Sequence, residues 1–108
     1  MSRRAVIAGV GHTAFGRHTD QTAWHLEVEA ARNAVFDAGF KPADVDGLLT
    51  DPRPAQGILD GITPHFLRMG AQLGINPHYS GSELLGGAGS VAVIQRAALA
   101  VEAGQCDV

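Results

Sequence analysis

Between Val91 and Ala103 only Gln95, Arg96 and Glu102 are polar. The stretch reads as a helix over Ser90–Ala103, closed by Gly104 at the position past its end. A helix that is apolar nearly all round has no face to offer water and belongs inside a large domain. A chain of 108 residues is one domain at most and buries only roughly two-thirds of its unfolded surface. Cover on every side of that helix is beyond its own means. Residues 1–108 are therefore expected to be the N-terminal part of a larger domain, incomplete without further chain or a partner.

The rest of the chain supplies alternating elements. Arg4–Val10, "RAVIAGV", is a continuous apolar run ending near glycine, the pattern of a strand buried on both faces in a parallel sheet. "GHTAFGRHTDQ" reads as loop. Thr22–Ala38 reads as a helix, with Trp24, Val28, Ala31, Val35 and Ala38 on one face, Gly39 at its end and Pro42 soon after. A turn precedes a short strand over Val45–Thr50. Asp51–Pro64 is irregular, with Pro52, Pro54 and Pro64, and one helical turn is expected at Gly57–Ile62. A short helix over His65–Leu73 is closed by Gly74. "INPHYSGSEL" reads as a strand interrupted at Pro77, and "QCDV" starts another. Strands alternating with helices predict an α/β fold with a mainly parallel sheet.

Composition narrows the partners. A net charge of -3 and the absence of a basic stripe argue against nucleic acid. No run approaches the roughly 20 apolar residues of a membrane helix, and Ala5–Val10 is too short for a signal segment. A single cysteine, Cys106, rules out an internal disulfide and fits a reducing, cytoplasmic setting.

Two stretches match the phosphate-loop form G-x-G-x-x-A. "GVGHTA", Gly9–Ala14, stands too far from the next helix for a dinucleotide site, and reads as a loop needing positive φ at glycine. "GAGSVA", Gly87–Ala92, opens the apolar helix. There the backbone N–H groups and the positive dipole end could stabilise an anion or oxyanion. Close packing of a buried helix explains the same glycines, so both readings stand. The five histidines (His12, His18, His25, His65 and His78) show no H-x-x-x-H pair, and Cys106 has no C-x-x-C partner, so no metal site is expected. His25 reads as a surface residue and Cys106 as a packing residue at a strand start. None of Ser80, Ser82 and Ser90 has a base placed by sequence, and no G-x-S-x-G is present.

"AVIAGVGHTAFGR", "EAARNAVFDAGFKPADVDGLL" and "GAGSVAVIQRAALAVEAGQCDV" together resemble the N-terminal portion of thiolases. The likeness is to the sterol carrier protein-x type, often described as lipid-transfer proteins or acetyl-CoA acetyltransferases. It covers nearly the whole chain. The resemblance implies a thiolase-like α/β fold, a mostly parallel mixed sheet around a buried central helix. In that family a nucleophilic cysteine precedes this helix, in a form like Cys-Ser-Thr-Gly-Ser. Aligning its Gly-Ser pair with Gly89 and Ser90 puts Gly86 at the cysteine position and makes Gly86, Gly87, Ala88 and Gly89 the implied substrate-binding loop. Cys106 cannot substitute, because the helix between them puts it roughly 20 Å or more away. Without a sulfur no acyl thioester forms on the enzyme. The sequence thus resembles the thiolase-like aldolases of steroid side-chain degradation, which lack the cysteine and cleave a β-hydroxyacyl-CoA. The resemblance implies no bound cofactor, with coenzyme A entering as part of the substrate. It also implies a homodimer to which Ile75–Leu84 contributes, a small partner protein with an OB fold and zinc ribbon, and catalytic groups beyond Val108. An acetyl-CoA acyltransferase with a shifted alignment and a non-catalytic thiolase-like scaffold subunit are the alternatives.

Overall fold

A computed structural model describes residues 3–51, 65–83 and 85–108. Three helices, α1 (Ala23–Asp37), α2 (His65–Leu73) and α3 (Gly89–Glu102), and two strands, β1 (Gly47–Thr50) and β2 (Tyr79–Ser82), form the described architecture. The three expected helices differ from these by at most a residue at each end, and β1 and β2 are the cores of the strands expected at Val45–Thr50 and "INPHYSGSEL"; "QCDV" is not in a strand. The turn expected at Gly57–Ile62 lies outside the described residues.

Thr22 caps α1: its hydroxyl accepts from the His25 N–H at 3.2 Å. All three helices stop in the same way. Gly39, Gly74 and Gly104 each take φ of 77–79°, and the next residue's N–H reaches back to a helix carbonyl, as in Phe40 to Val35, Ile75 to Gly70 and Gln105 to Ala100. This is the glycine stop written in the sequence.

β1 and β2 run parallel, with Leu48 opposite Ser80 and Leu49 opposite Gly81. Leu48 reaches Gly70 of α2, while the Arg96 guanidinium of α3 lies against Gly81. Adjacent strand residues face opposite sides, so α2 and α3 cover opposite faces of the sheet. The core gathers on the α2 side, where Val28, Met69, Leu73 and Ile75 are buried with Trp24, Ala31, Val45 and Leu48 packed around them.

One further expectation fails. Arg4–Val10 forms no strand, and Val6 is 82% exposed and Ile7 74% exposed. A strand buried on both faces needs neighbours in the sheet; among the described residues β1 pairs only with β2. The described residues leave α3 covered on one side only, as its all-round apolar pattern in so short a chain implies: Gly89 and Ala100 are buried, whereas Val91, Ile94 and Leu99 are exposed. One side of α3 rests on the sheet, and the apolar outer side has nothing over it among the described residues. No helix among the described residues is long and apolar enough to cross a membrane.

Candidate functional site

In a parallel sheet the ligand-binding end is the carboxyl end of the strands. Here that end carries Thr50 and Ser82, whose hydroxyls lie 2.8 Å apart in cross-strand register. The chain leaving β2 passes Glu83 and enters a single 3-10 turn, Gly86–Ala88, which runs directly into α3. Gly86 sits at φ 57°, the left-handed region that favours glycine. Among the described residues a Cβ at Gly86 or Gly87 would meet nothing within 4 Å, and Gly86, Gly87 and Ala88 are all exposed. Of the four implied loop residues only Gly89 is buried. Among the described residues no side chain caps α3, but the preceding 3-10 turn partly does: the Gly89 N–H donates to the Gly86 carbonyl and the Ala88 N–H to that of Leu85, so what α3 offers an anion here is chiefly its positive dipole end.

A groove of about 650 Å³ runs from Ser90 along the end of β1 and under α1, lined by Glu27, Ala30, Ala31, Leu48–Asp51 and Met69 as well as Ser90. The loop residues Gly86–Gly89 do not line it; Ser90 is their point of contact with it.

Sequence reasoning missed the pair formed by Glu27 and His65. His65 Nε2 lies 3.1 Å from Glu27 Oε2, and the His65 ring stands edge-on to Trp24 at 5.7 Å. The pair joins residues 38 apart in sequence, beyond any spacing rule. Burial pushes the Glu27 carboxyl above its ordinary value; the His65 hydrogen bond and charge pull it down without cancelling that push, and the Asp51 charge adds to it. His65 Nδ1 is buried and has no hydrogen-bond partner among the described residues.

The remaining histidines scatter. His12 stacks on Phe15 with ring centroids 5.2 Å apart, and His18 Nε2 lies 2.7 Å from the Ala14 carbonyl. His25 is exposed, as expected. No group of three metal-type ligands occurs among the described residues. The "GVGHTA" glycines have a different role from the one expected. Neither Gly9 nor Gly11 has positive φ. Both allow close approach to α1: a Cβ at Gly11 would stand 2.2 Å from the Ala30 carbonyl oxygen, and one at Gly9 2.6 Å from that of Ala34. The Val10 N–H donates to Asp37, and the Asn33 amide to the His12 carbonyl, which fastens the segment there.

Cys106 is buried against the first residue of β1; its sulfur would be 2.9 Å from a Cβ on Gly47. That is the amino end of the strand, opposite the Gly86 loop. Burial raises the thiol's pKa, and the charges of Asp46 and Asp107 raise it further against Arg3.

No family model matches the chain. It is 35% identical over all of its 108 residues to a 17-hydroxy-3-oxo-4-pregnene-20-carboxyl-CoA lyase of Mycobacterium tuberculosis, covering 26% of that protein. It is 32% identical over 105 residues to a steroid side-chain-cleaving aldolase of Thermomonospora curvata, covering 96% of this chain and 25% of the other. A solved structure described as an Ltp2-ChsH2(DUF35) aldolase matches with a TM-score of 0.76 at 30% identity, over 94% of this chain and 25% of that one. The chain thus spans about a quarter of the length of the curated relatives it matches. One of these proteins is named a lyase and two are named aldolases, one of them a steroid side-chain-cleaving aldolase.

Proposed function

We propose that this chain is the N-terminal part of a thiolase-like enzyme that cleaves a β-hydroxyacyl-CoA by retro-aldol chemistry, with no acyl group carried on the protein. The observation that carries the reading is the placement of the thiol. The one cysteine of this chain is buried at the amino end of β1, while at the loop opening α3 nothing among the described residues stands within 4 Å of a Cβ placed on Gly86. The names of the relatives point the same way.

In a retro-aldol step a base removes the β-hydroxyl proton, the Cα–Cβ bond breaks as the carbonyl forms, and the electron pair passes to the thioester as an enolate. The carbonyl product, a ketone from a tertiary β-hydroxyl or an aldehyde from a secondary one, leaves, and protonation of the enolate at carbon gives the shortened acyl-CoA. The positive dipole end of α3 stabilises the developing enolate oxygen. Glycines at 86, 87 and 89, with Ala88, leave room for the thioester beside it. The base lies outside Gly86–Gly89. Coenzyme A is part of the substrate and no further cofactor is needed for this chemistry. A small OB-fold and zinc-ribbon partner is part of the proposal, in keeping with the two-component name of the matching structure; so are a homodimer built partly through Ile75–Leu84 and a cytoplasmic location.

The test is turnover by the intact protein, alone and with its partner, of a β-hydroxyacyl-CoA, with products followed by chromatography and the protein by mass spectrometry. The ketone or aldehyde and the shortened acyl-CoA should form while the protein mass stays unchanged. A covalent acyl-enzyme would overturn the mechanism. Failure to turn over under both conditions would favour the scaffold subunit. Gly86→Cys should reduce turnover by crowding the thioester and should not create thiolysis.

A further inference from the structure

Tyr79, Gly81 and Glu83 stand at every second position, from the first residue of β2 to the residue just past its end. They therefore share one face of the strand, and Arg96 of α3 lies along that face. Its Nε donates to the Tyr79 hydroxyl at 3.1 Å and its Nη1 to Glu83 Oε1 at 2.9 Å. The guanidinium carbon lies 5.5 Å from the centre of the Tyr79 ring, within reach of a cation–π attraction. Gly81 makes the room between the two partners: a Cβ there would stand 2.8–3.1 Å from the guanidinium atoms.

The turn that opens α3 lacks anchors of its own. Ala88 is exposed, and among the described residues a Cβ on Gly86 or Gly87 would meet nothing within 4 Å. Gly86, at φ 57°, is also the residue type with the most freedom to lose. The turn is therefore placed by its two flanks, the exit of β2 and the first turns of α3. On the first flank the Glu83 N–H donates to the Thr50 carbonyl at 3.0 Å, which carries the pairing with β1 one residue past β2. On the second, Arg96 projects from α3 roughly 10 Å beyond Gly89. Arg96 ties one flank to the other. A guanidinium is a planar, permanently charged fork, so two bonds from it fix direction as well as distance.

We propose that Arg96 is a positioning residue: by bracing Tyr79 and Glu83 against α3 it sets where the Gly86–Gly89 turn stands, and with it the thioester. The effect on catalysis rests on the reaction proposed above, whereas the hold on the turn does not.

Arg96→Met, Glu83→Gln and Gly81→Ala release the brace in three different ways in the intact protein. Gly81 has no positive φ, so an added methyl leaves the backbone in place and displaces the flexible end of Arg96. Amide hydrogen exchange at residue resolution should become about tenfold faster at Ala88 and Gly89, whose N–H groups close the turn onto Leu85 and Gly86. Leu99 and Val101, far along α3, should keep the parent's rates. Unchanged exchange at Ala88 and Gly89 in Arg96→Met would overturn the proposal, and so would equal acceleration along all of α3, the mark of a general loss of stability. In turnover of a β-hydroxyacyl-CoA, kcat per folded molecule should fall about tenfold while KM stays within about twofold, because alignment is what is lost. Gly81→Ala combined with Arg96→Met should cost no more than Arg96→Met alone. A raised KM at unchanged kcat, or effects that multiply in the double variant, would refute the shared route. A parent protein that turns nothing over refutes the proposed reaction instead, and the exchange comparison then decides the role of Arg96 by itself.

Discussion

Glycine is the residue on which most of this molecule turns, and its positions are not equivalent. At Gly11 an added methyl carbon would stand 2.2 Å from the Ala30 carbonyl oxygen and 2.3 Å from the Ala34 nitrogen. Both are helix backbone and cannot swing aside. Gly11→Ala in the intact protein should cost about 3 kcal/mol, the upper end of ordinary overpacking. A Cβ on Gly87 would meet nothing within 4 Å among the described residues, and Gly87 has no positive φ, so Gly87→Ala should stay within about 0.5 kcal/mol of the parent. Chemical denaturation of both variants checks the contrast, and equal effects would refute the close-approach account. The sequence marks both glycine clusters as special but does not separate them. Spacing shows that a glycine is present, whereas clearance depends on which helix passes over it.

Among elements, α1 and α2 meet through Glu27 and His65. The Glu27 carboxyl is raised above its ordinary value of 4.5, chiefly by burial. A raised carboxyl favours the fold below that ordinary value, and the advantage is lost as pH rises through the folded-state pKa. Glu27→Gln keeps a hydrogen-bonding partner for His65 without the buried charge. Its melting temperature should gain on the parent as pH rises from about 4 to about 8; a flat or shrinking difference would count against the buried-charge account. Helix boundaries are legible because apolar spacing and terminal glycines are local signals, and they locate Thr22–Ala38 and Ser90–Ala103 to within a residue. The state of Arg4–Val10 is not legible. An apolar run states what a strand requires from its neighbours, but not whether β1 is next to it. The outer face of α3 follows the same logic: Val91, Ile94 and Leu99 announce a need for cover that the described residues leave unmet.

At the scale of the whole molecule, three kinds of contact tie the end of α3 to the rest. Arg3 pairs with Asp107, Asp46 holds the backbone of Asp107 and Val108, and Cys106 sits on Gly47. Arg96 adds a fourth anchor further along, donating to the Tyr79 hydroxyl at 3.1 Å and to Glu83 at 2.9 Å across the notch left by Gly81. The Gly47–Cys106 contact is hidden from sequence by the 58 positions between the two residues. A Cβ on Gly47 would come 2.9 Å from the sulfur and 3.2 Å from the Cβ of Cys106, so the two sites share one volume. Neither site is free to drift alone. In a double-mutant cycle, Gly47→Ala should be costly beside cysteine and much cheaper beside Cys106→Gly, with a coupling energy of about 1–3 kcal/mol. In any lineage of this chain, a side chain gained at 47 should come with one surrendered at 106.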